Sequence, residues 1–245
     1  NSGAYGNTKI AAGIVGSAPL LIGDKVANIL DKHLNIASNR FKGIRSQAAM
    51  HPDGTIPVSR ARPIEGVYVN DMFQQGFSHL ESRNLSFEAW CYHPQLPQLI
   101  ELAKKFPNTS IILNHFGGPL GVGSFSNKED ETYNFWEKQI IELSKCENVV
   151  AKLGGIAMEI NGFDWHKNNS APSGNELINR TKRYYDKTLE LFGINRCMFE
   201  SNFPVDKISC SYVNLWNGFK ELTKDYSKSE RAKLFHDNAT RTYKL

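Results

Sequence analysis

This chain has little of what marks a membrane, secreted or nucleotide-binding protein. Its apolar run IAAGIVGSAPLLIG, at 10–23, is too short and too rich in glycine and proline to span a bilayer, and we expect no signal peptide. The four cysteines (Cys91, Cys146, Cys197, Cys210) include no C-x-x-C pair. Three lie in or beside apolar runs, so we expect buried free thiols and a reducing, cytoplasmic setting. No G-x-G-x-x-G follows the first expected strand and no G-x-x-x-x-G-K-[ST] occurs, which weakens a nucleotide-binding sheet. No Lys/Arg run accompanies the net charge of +4, so neither nucleic acid nor a membrane is an expected partner.

What is present is a regular alternation. Apolar runs at 8–16, 40–46, 85–93, 109–119, 148–155 and 196–204 predict six strands. Amphipathic segments at 24–37, 71–82, 94–106, 130–146, from 173, 209–224 and 228–240 predict helices, with Asp24 as a candidate cap. Ser173-x-x-Glu176 and Ser227-x-x-Glu230 have capping-box spacing, and 47–70 predicts a long loop. Continuous rather than alternating apolar strands suit a parallel sheet covered on both faces. We expect one α/β domain over 1–245, a (β/α) barrel.

Polar residues interrupt this pattern at the C-terminal ends of strands, where a (β/α) barrel places its active site. Arg45 ends FKGIR, Tyr92 and His93 end FEAWCYH, His115 ends IILNH, and Asn202 lies near the end of MFESNFP. His115 could be a core histidine, but the Gly-Gly-Pro that follows permits close approach of backbone or ligand. His93 precedes a proline and could simply start a helix. Arg45 suits an anionic group, or a structural ion pair. Deeper in the strands lie Glu88, Lys152 and Glu200; Lys152 and Glu200 stand on consecutive strands and could pair, since desolvated charges need partners.

These strand ends resemble the amidohydrolase-related family, in the branch with sugar lactonases and 2-pyrone-4,6-dicarboxylate lactonase. RFKGIRS is similar to that family's Arg-Gly-Ile-Arg strand. LSFEAWCYHPQLPQLIELAKKFPNTSIILNHFGGP is similar to a strand–helix–strand unit closing in Asp-His-x-Gly-x-Pro. NVVAKLGG and RCMFESNFPVDK resemble its seventh and eighth strands. The resemblance implies a TIM-type (β/α)8 barrel of which strands three to eight are present. The family's His-x-His of strand one has no counterpart here, which together with a first residue other than Met suggests that N-terminal strands are missing.

The resemblance also implies hydrolysis of a lactone or related cyclic ester or amide of a small anionic or hydroxylated substrate. His115 would polarise the carbonyl or bind a divalent metal, most commonly zinc, although the His-x-His ligands are absent. Asn202 occupies the position of an aspartate that binds metal or activates water. Asp206 and Glu200 are the nearest carboxylates that could replace it as base. Arg45, His93, Tyr92 and Lys152 are the substrate-binding candidates. A non-oxidative decarboxylase, or a degenerate barrel that binds a small ligand without turnover, are the alternatives; Asn202 favours the latter. The resemblance leaves a homo-oligomer open.

Overall fold

The computed structural model describes residue 6 and residues 11–37, 39–58 and 63–245. Six parallel strands form one sheet: β1 (Ile14–Gly16), β2 (Phe41–Gln47), β3 (Ser86–Trp90), β4 (Ile111–Leu113), β5 (Val149–Leu153) and β6 (Cys197–Phe199). Each pairs with the next in the chain. A doubly wound sheet would reverse its order at a switch point, whereas an unreversed order is the arc of a (β/α) barrel. Crossover helices α1 (Ala27–Ala37), α2 (Asp71–Ser78), α3 (Leu96–Lys105), α4 (Glu129–Ser144) and α5 (Gly174–Phe192) join the strands. After β6 come α6 (Tyr212–Leu222), α7 (Lys228–Ala232), a π-helical turn and α8 (Asn238–Tyr243).

All five residues of β3 are buried because both its faces are covered. Phe87 turns outward onto Phe73 and Phe77 of α2, with ring centroids 6.0 and 4.9 Å away. Burying one such ring stabilises the fold by about 1.5–3 kcal/mol. Side chains alternate along a strand, so Ser86, Glu88 and Trp90 face the interior instead. Further round, Trp136 of α4 packs on Tyr184 of α5 and donates its indole N–H to the Phe116 carbonyl at 2.6 Å. Buried Asn238 donates to the carbonyls of Ile194 and Cys197, at 2.6 and 2.7 Å, and so ties α8 to the start of β6. All four cysteines are free and buried. Among the described residues, no helix is long and apolar enough to cross a membrane.

Both expected capping boxes form, at Ser173 and Ser227. Asp24 does not cap α1: it lies in a 3-10 segment, Leu20–Val26, and accepts from Gln75 and His79 at 2.6 and 2.7 Å. Except for β2, which keeps its length at Phe41–Gln47, the strands are shorter than their apolar runs. The first covers Ile14–Gly16, and residues 8–10 lie outside the described residues. The run at 109–119 stops at Leu113 because His115 and Phe116 adopt left-handed φ values of 53° and 58°, which no strand can include. The helix expected over 228–240 is interrupted by the π turn at Lys233–Asp237.

Candidate active site

β2 and β3 pair with Arg45 opposite Glu88, β3 and β4 with Glu88 opposite Ile112, and β5 and β6 with Lys152 opposite Met198. This register brings charged groups from β2, β3, β5 and the end of β6 into one continuous line. Tyr243 of α8 donates its hydroxyl to Glu88 Oε1. Asn114 donates to Glu88 Oε2 at 3.3 Å. Lys152 donates to both Glu88 oxygens at 3.2 Å and lies 3.0 Å from Glu200 Oε2. Glu200 Oε1 lies 2.6 Å from His115 Nδ1, and Arg45 Nη2 lies 3.1 Å from His115 Nε2.

His115 is 2% exposed, so its tautomer follows from these neighbours. A guanidinium only donates; Nε2 therefore accepts, and the ring proton sits on Nδ1 toward Glu200. The 2.6 Å approach is off the N–H axis, so it is a close electrostatic contact rather than an aligned hydrogen bond. Trp90 meets the imidazole edge-on at 4.8 Å. Gly155, at φ +77°, makes room for it: a Cβ there would stand 2.3 Å from Nδ1. The left-handed backbone of His115 is the kind of strain that a packed surround holds at a functional site.

Burial would raise the Glu200 carboxyl, but His115 and Lys152 outweigh it and hold the group well below the usual carboxylate range. Burial likewise opposes the Lys152 ammonium, yet Glu200 and Glu88 raise its pKa. Asp206 differs. It is 1% exposed, and burial pushes it up to about 7 although the Asn202 amide donates to its Oδ1 at 2.6 Å. Its Oδ2 makes no side-chain hydrogen bond among the described residues, and the Ala157 N–H only partly offsets the effect of burial.

Of the residues singled out in the sequence, Arg45, Glu88, His115, Lys152 and Glu200 form one cluster. Asn202 and Asp206 pair with each other just beyond β6, and Asn202 has a left-handed φ of 53°. Tyr92 and His93 stand apart. Tyr92 donates to the Pro57 carbonyl and packs in a separate apolar cluster with Ala49, Ile56 and Trp90. His93 opens the 3-10 turn before α3, turns toward Phe125 and Phe135, and accepts from the Leu120 N–H. Tyr243 and Asn114 were not foreseen; nothing local links Tyr243 to Glu88, 155 residues earlier. A cleft of about 560 Å³, lined by Gly16, Ser17, Arg45, Ser46 and Gln47, opens beside the cluster.

The sequence profile described as amidohydrolase matches residues 9–245. The chain belongs to the amidohydrolase family. This amidohydrolase is 35% identical over 240 residues to the uncharacterized protein y4mH of Sinorhizobium fredii, covering 95% of this chain and 70% of that one. It is 26% identical over 180 residues to the L-fucono-1,5-lactonase of Burkholderia multivorans, covering 73% of this chain and 58% of the lactonase, which is less than two thirds of its length. An amidohydrolase structure from Burkholderia multivorans with bound HEPES superimposes with a TM-score of 0.77 at 22% identity, over 96% of this chain and 74% of that one. A second crystal form, with bound zinc, gives 0.75. These likenesses establish the barrel fold for this amidohydrolase.

The side chains described here do not fit a metal by themselves. Among the described residues, no group of three or more His, Cys, Asp or Glu side chains is arranged to hold one. Both nitrogens of His115 are also engaged, Nε2 by a guanidinium that would repel a second cation.

Proposed function

We propose that this amidohydrolase hydrolyses a lactone or related cyclic ester bearing an anionic or hydroxylated group. One observation carries the reading: Arg45, two residues before the end of β2, has no carboxylate partner among the described residues and an unpaired Nε, and stands against a histidine nitrogen backed by Glu200. Arg45 would offer its free donors to the ester carbonyl or to a substrate anion. As the guanidinium turns from His115 to the substrate it frees the Nε2 lone pair, and Nε2 takes a proton from water as the water oxygen attacks the carbonyl carbon. The Glu200 carboxylate beside Nδ1–H stabilises the imidazolium, and Lys152 and Glu88 hold Glu200 in place. The ring C–O bond then breaks, His115 returns the proton to the departing alkoxide, and a hydroxy acid remains. A positioned base of this kind contributes ~10²–10⁴-fold. The accepting tautomer makes His115 the base and leaves polarisation of the carbonyl to Arg45.

Asp206 supports a second reading. Its Oδ2, without a side-chain partner among the described residues, and its carboxyl, pushed up to about 7, suit a general base anchored by Asn202. A pH-stat assay on a panel of sugar lactones, L-fucono-1,5-lactone included, separates the possibilities. Hydrolysis releases a proton, whereas decarboxylation consumes one. We expect His115→Ala to lower kcat of the folded enzyme by ~10²–10⁴, and because the ring is buried against Trp90 and Glu200 the melting temperature should fall as well. Unchanged turnover in His115→Ala with loss in Asp206→Asn would transfer the role of base to Asp206. Saturable lactone binding without acid release would leave a binding protein.

A further inference from the structure

A second cavity, of about 350 Å³, lies where the loop after β2 meets the start of α4. It shares no lining residue with the Arg45 cleft and none with the strand-end cluster. His93 lines it while only 2% exposed, and its Nδ1 accepts the Leu120 N–H at 3.2 Å. His51 lines it too, and its Nδ1 accepts the Asp53 N–H at 3.1 Å. Each ring therefore keeps its proton on Nε2, and neither Nε2 has a hydrogen-bond partner among the described residues. Burial pushes the pKa of His93 down to about 4 against the opposing pull of the nearby Gly118 carbonyl, so the ring stays neutral at physiological pH.

The walls are aromatic. Phe125 takes both imidazoles edge-on, at 4.9 Å for His93 and 5.2 Å for His51, and Phe135 lies 5.7 Å from His93. Phe135 is 40% exposed, so its ring is open to a molecule entering the cavity. The loops that carry these groups are fastened together: the Asp53 carboxylate accepts the N–H groups of Thr55 and Ser124, at 2.9 and 2.8 Å. Lys128 and Glu131 line the same cavity from the start of α4.

We propose that this cavity is a second small-molecule site, for a flat aromatic monocarboxylate. The two Nε2–H donors, from different loops, match the two oxygens of a carboxylate. Phe125 and Phe135 stack or edge against the ring. Lys128 favours one negative charge, and Glu131 on the same rim opposes a second.

The test uses benzoate as probe on the full chain, by saturation-transfer NMR and calorimetric titration. Benzoate should bind the wild type. Loss of one hydrogen bond to a charged group should weaken it ~10-fold or more in His93→Gln and in His51→Gln. Phe135→Ala should also weaken it, and Arg45→Met and His115→Ala should leave it unchanged. Terephthalate, a dianion, and cyclohexanecarboxylate, which lacks the ring, should both bind less well than benzoate. Should His93→Gln fail to fold, His51→Gln and Phe135→Ala, both at the rim, still decide the matter. Absence of benzoate binding, or loss in His115→Ala with retention in the rim variants, would overturn the proposal. Neither outcome depends on turnover, so the hydrolase reading stands or falls separately.

Discussion

Replacing Lys152 by methionine keeps the length of the side chain and removes its charge. In the folded protein this ammonium faces three carboxylate oxygens, two of Glu88 at 3.2 Å and one of Glu200 at 3.0 Å. The side chains of Lys152, Glu88 and Glu200 are 12%, 5% and 16% exposed, so water cannot take its place. Glu88 would keep Tyr243 and Asn114, and Glu200 would keep His115. Two buried carboxylates would then share the interior without their common cation. Removing one partner of a buried pair costs about 3–5 kcal/mol. For a chain of this size that is a drop in melting temperature of roughly 6–20 °C. The pH dependence has a definite sign. Glu200 in the wild type has a folded pKa below its unfolded value, so its stabilisation is complete above the ordinary carboxylate range and is lost as pH falls through it. In Lys152→Met the carboxyls resist ionisation instead, so the deficit should be greatest near neutrality and shrink in acid. Urea unfolding at neutral and acidic pH measures both effects. The double variant Glu88→Gln/Lys152→Met should recover part of the loss. A deficit below ~1 kcal/mol at neutral pH would place this triad among solvent-screened pairs and refute its desolvation.

Two further substitutions probe the same region. Asp206 has its folded pKa raised from 3.8 to about 7, so it favours the folded state below its unfolded value, and this contribution is lost as pH rises through about 7. Asp206→Asn should therefore match the wild type near pH ~4 and exceed it in alkaline solution by at most about 4 kcal/mol, three pKa units at ~1.4 kcal/mol each; parallel stability curves would contradict the burial of this carboxyl. Gly155→Ala sets a Cβ 2.3 Å from His115 Nδ1 at φ +77°, whereas Gly193→Ala, at φ +71°, meets nothing within 4 Å. The second, at ψ 163° in a region essentially reserved for glycine, should cost the backbone strain alone, about 1–3 kcal/mol, and the first clearly more in a thermal melt; equal losses would mean that His115 yields freely.

The strand order was legible because each strand is an apolar run followed by punctuation and an amphipathic helix. The strand ends were less so. Asn114, His115 and Phe116 carry no glycine or proline that would end a strand, and only the backbone reversal at His115 ends it early. Arg45, Lys152, Glu200 and His115 could be picked out because charged or titratable side chains next to buried strands need a reason. The same rule also selected His93 and Tyr92 and could not sort them. Position at a strand end does not say toward which side a ring turns, and both leave the strand axis as the chain bends into α3. Tyr243 carries no local signal at all. Its contact with Glu88 depends on the anchoring of α8 by Asn238, a property of the assembled fold.

The polar line through the interior carries Arg45, Lys152, Glu88 and Glu200, two positive and two negative side chains around a neutral imidazole. Its formal charges cancel before any substrate arrives. Hydrolysis of an uncharged lactone changes that balance, because the ester becomes a carboxylate beside Arg45, which has no carboxylate partner among the described residues. An arrangement that accepts the closed ring without electrostatic cost thus gains an ion pair with the opened one. Release of the hydroxy acid would then work against that attraction, and the product should compete with the lactone from which it came.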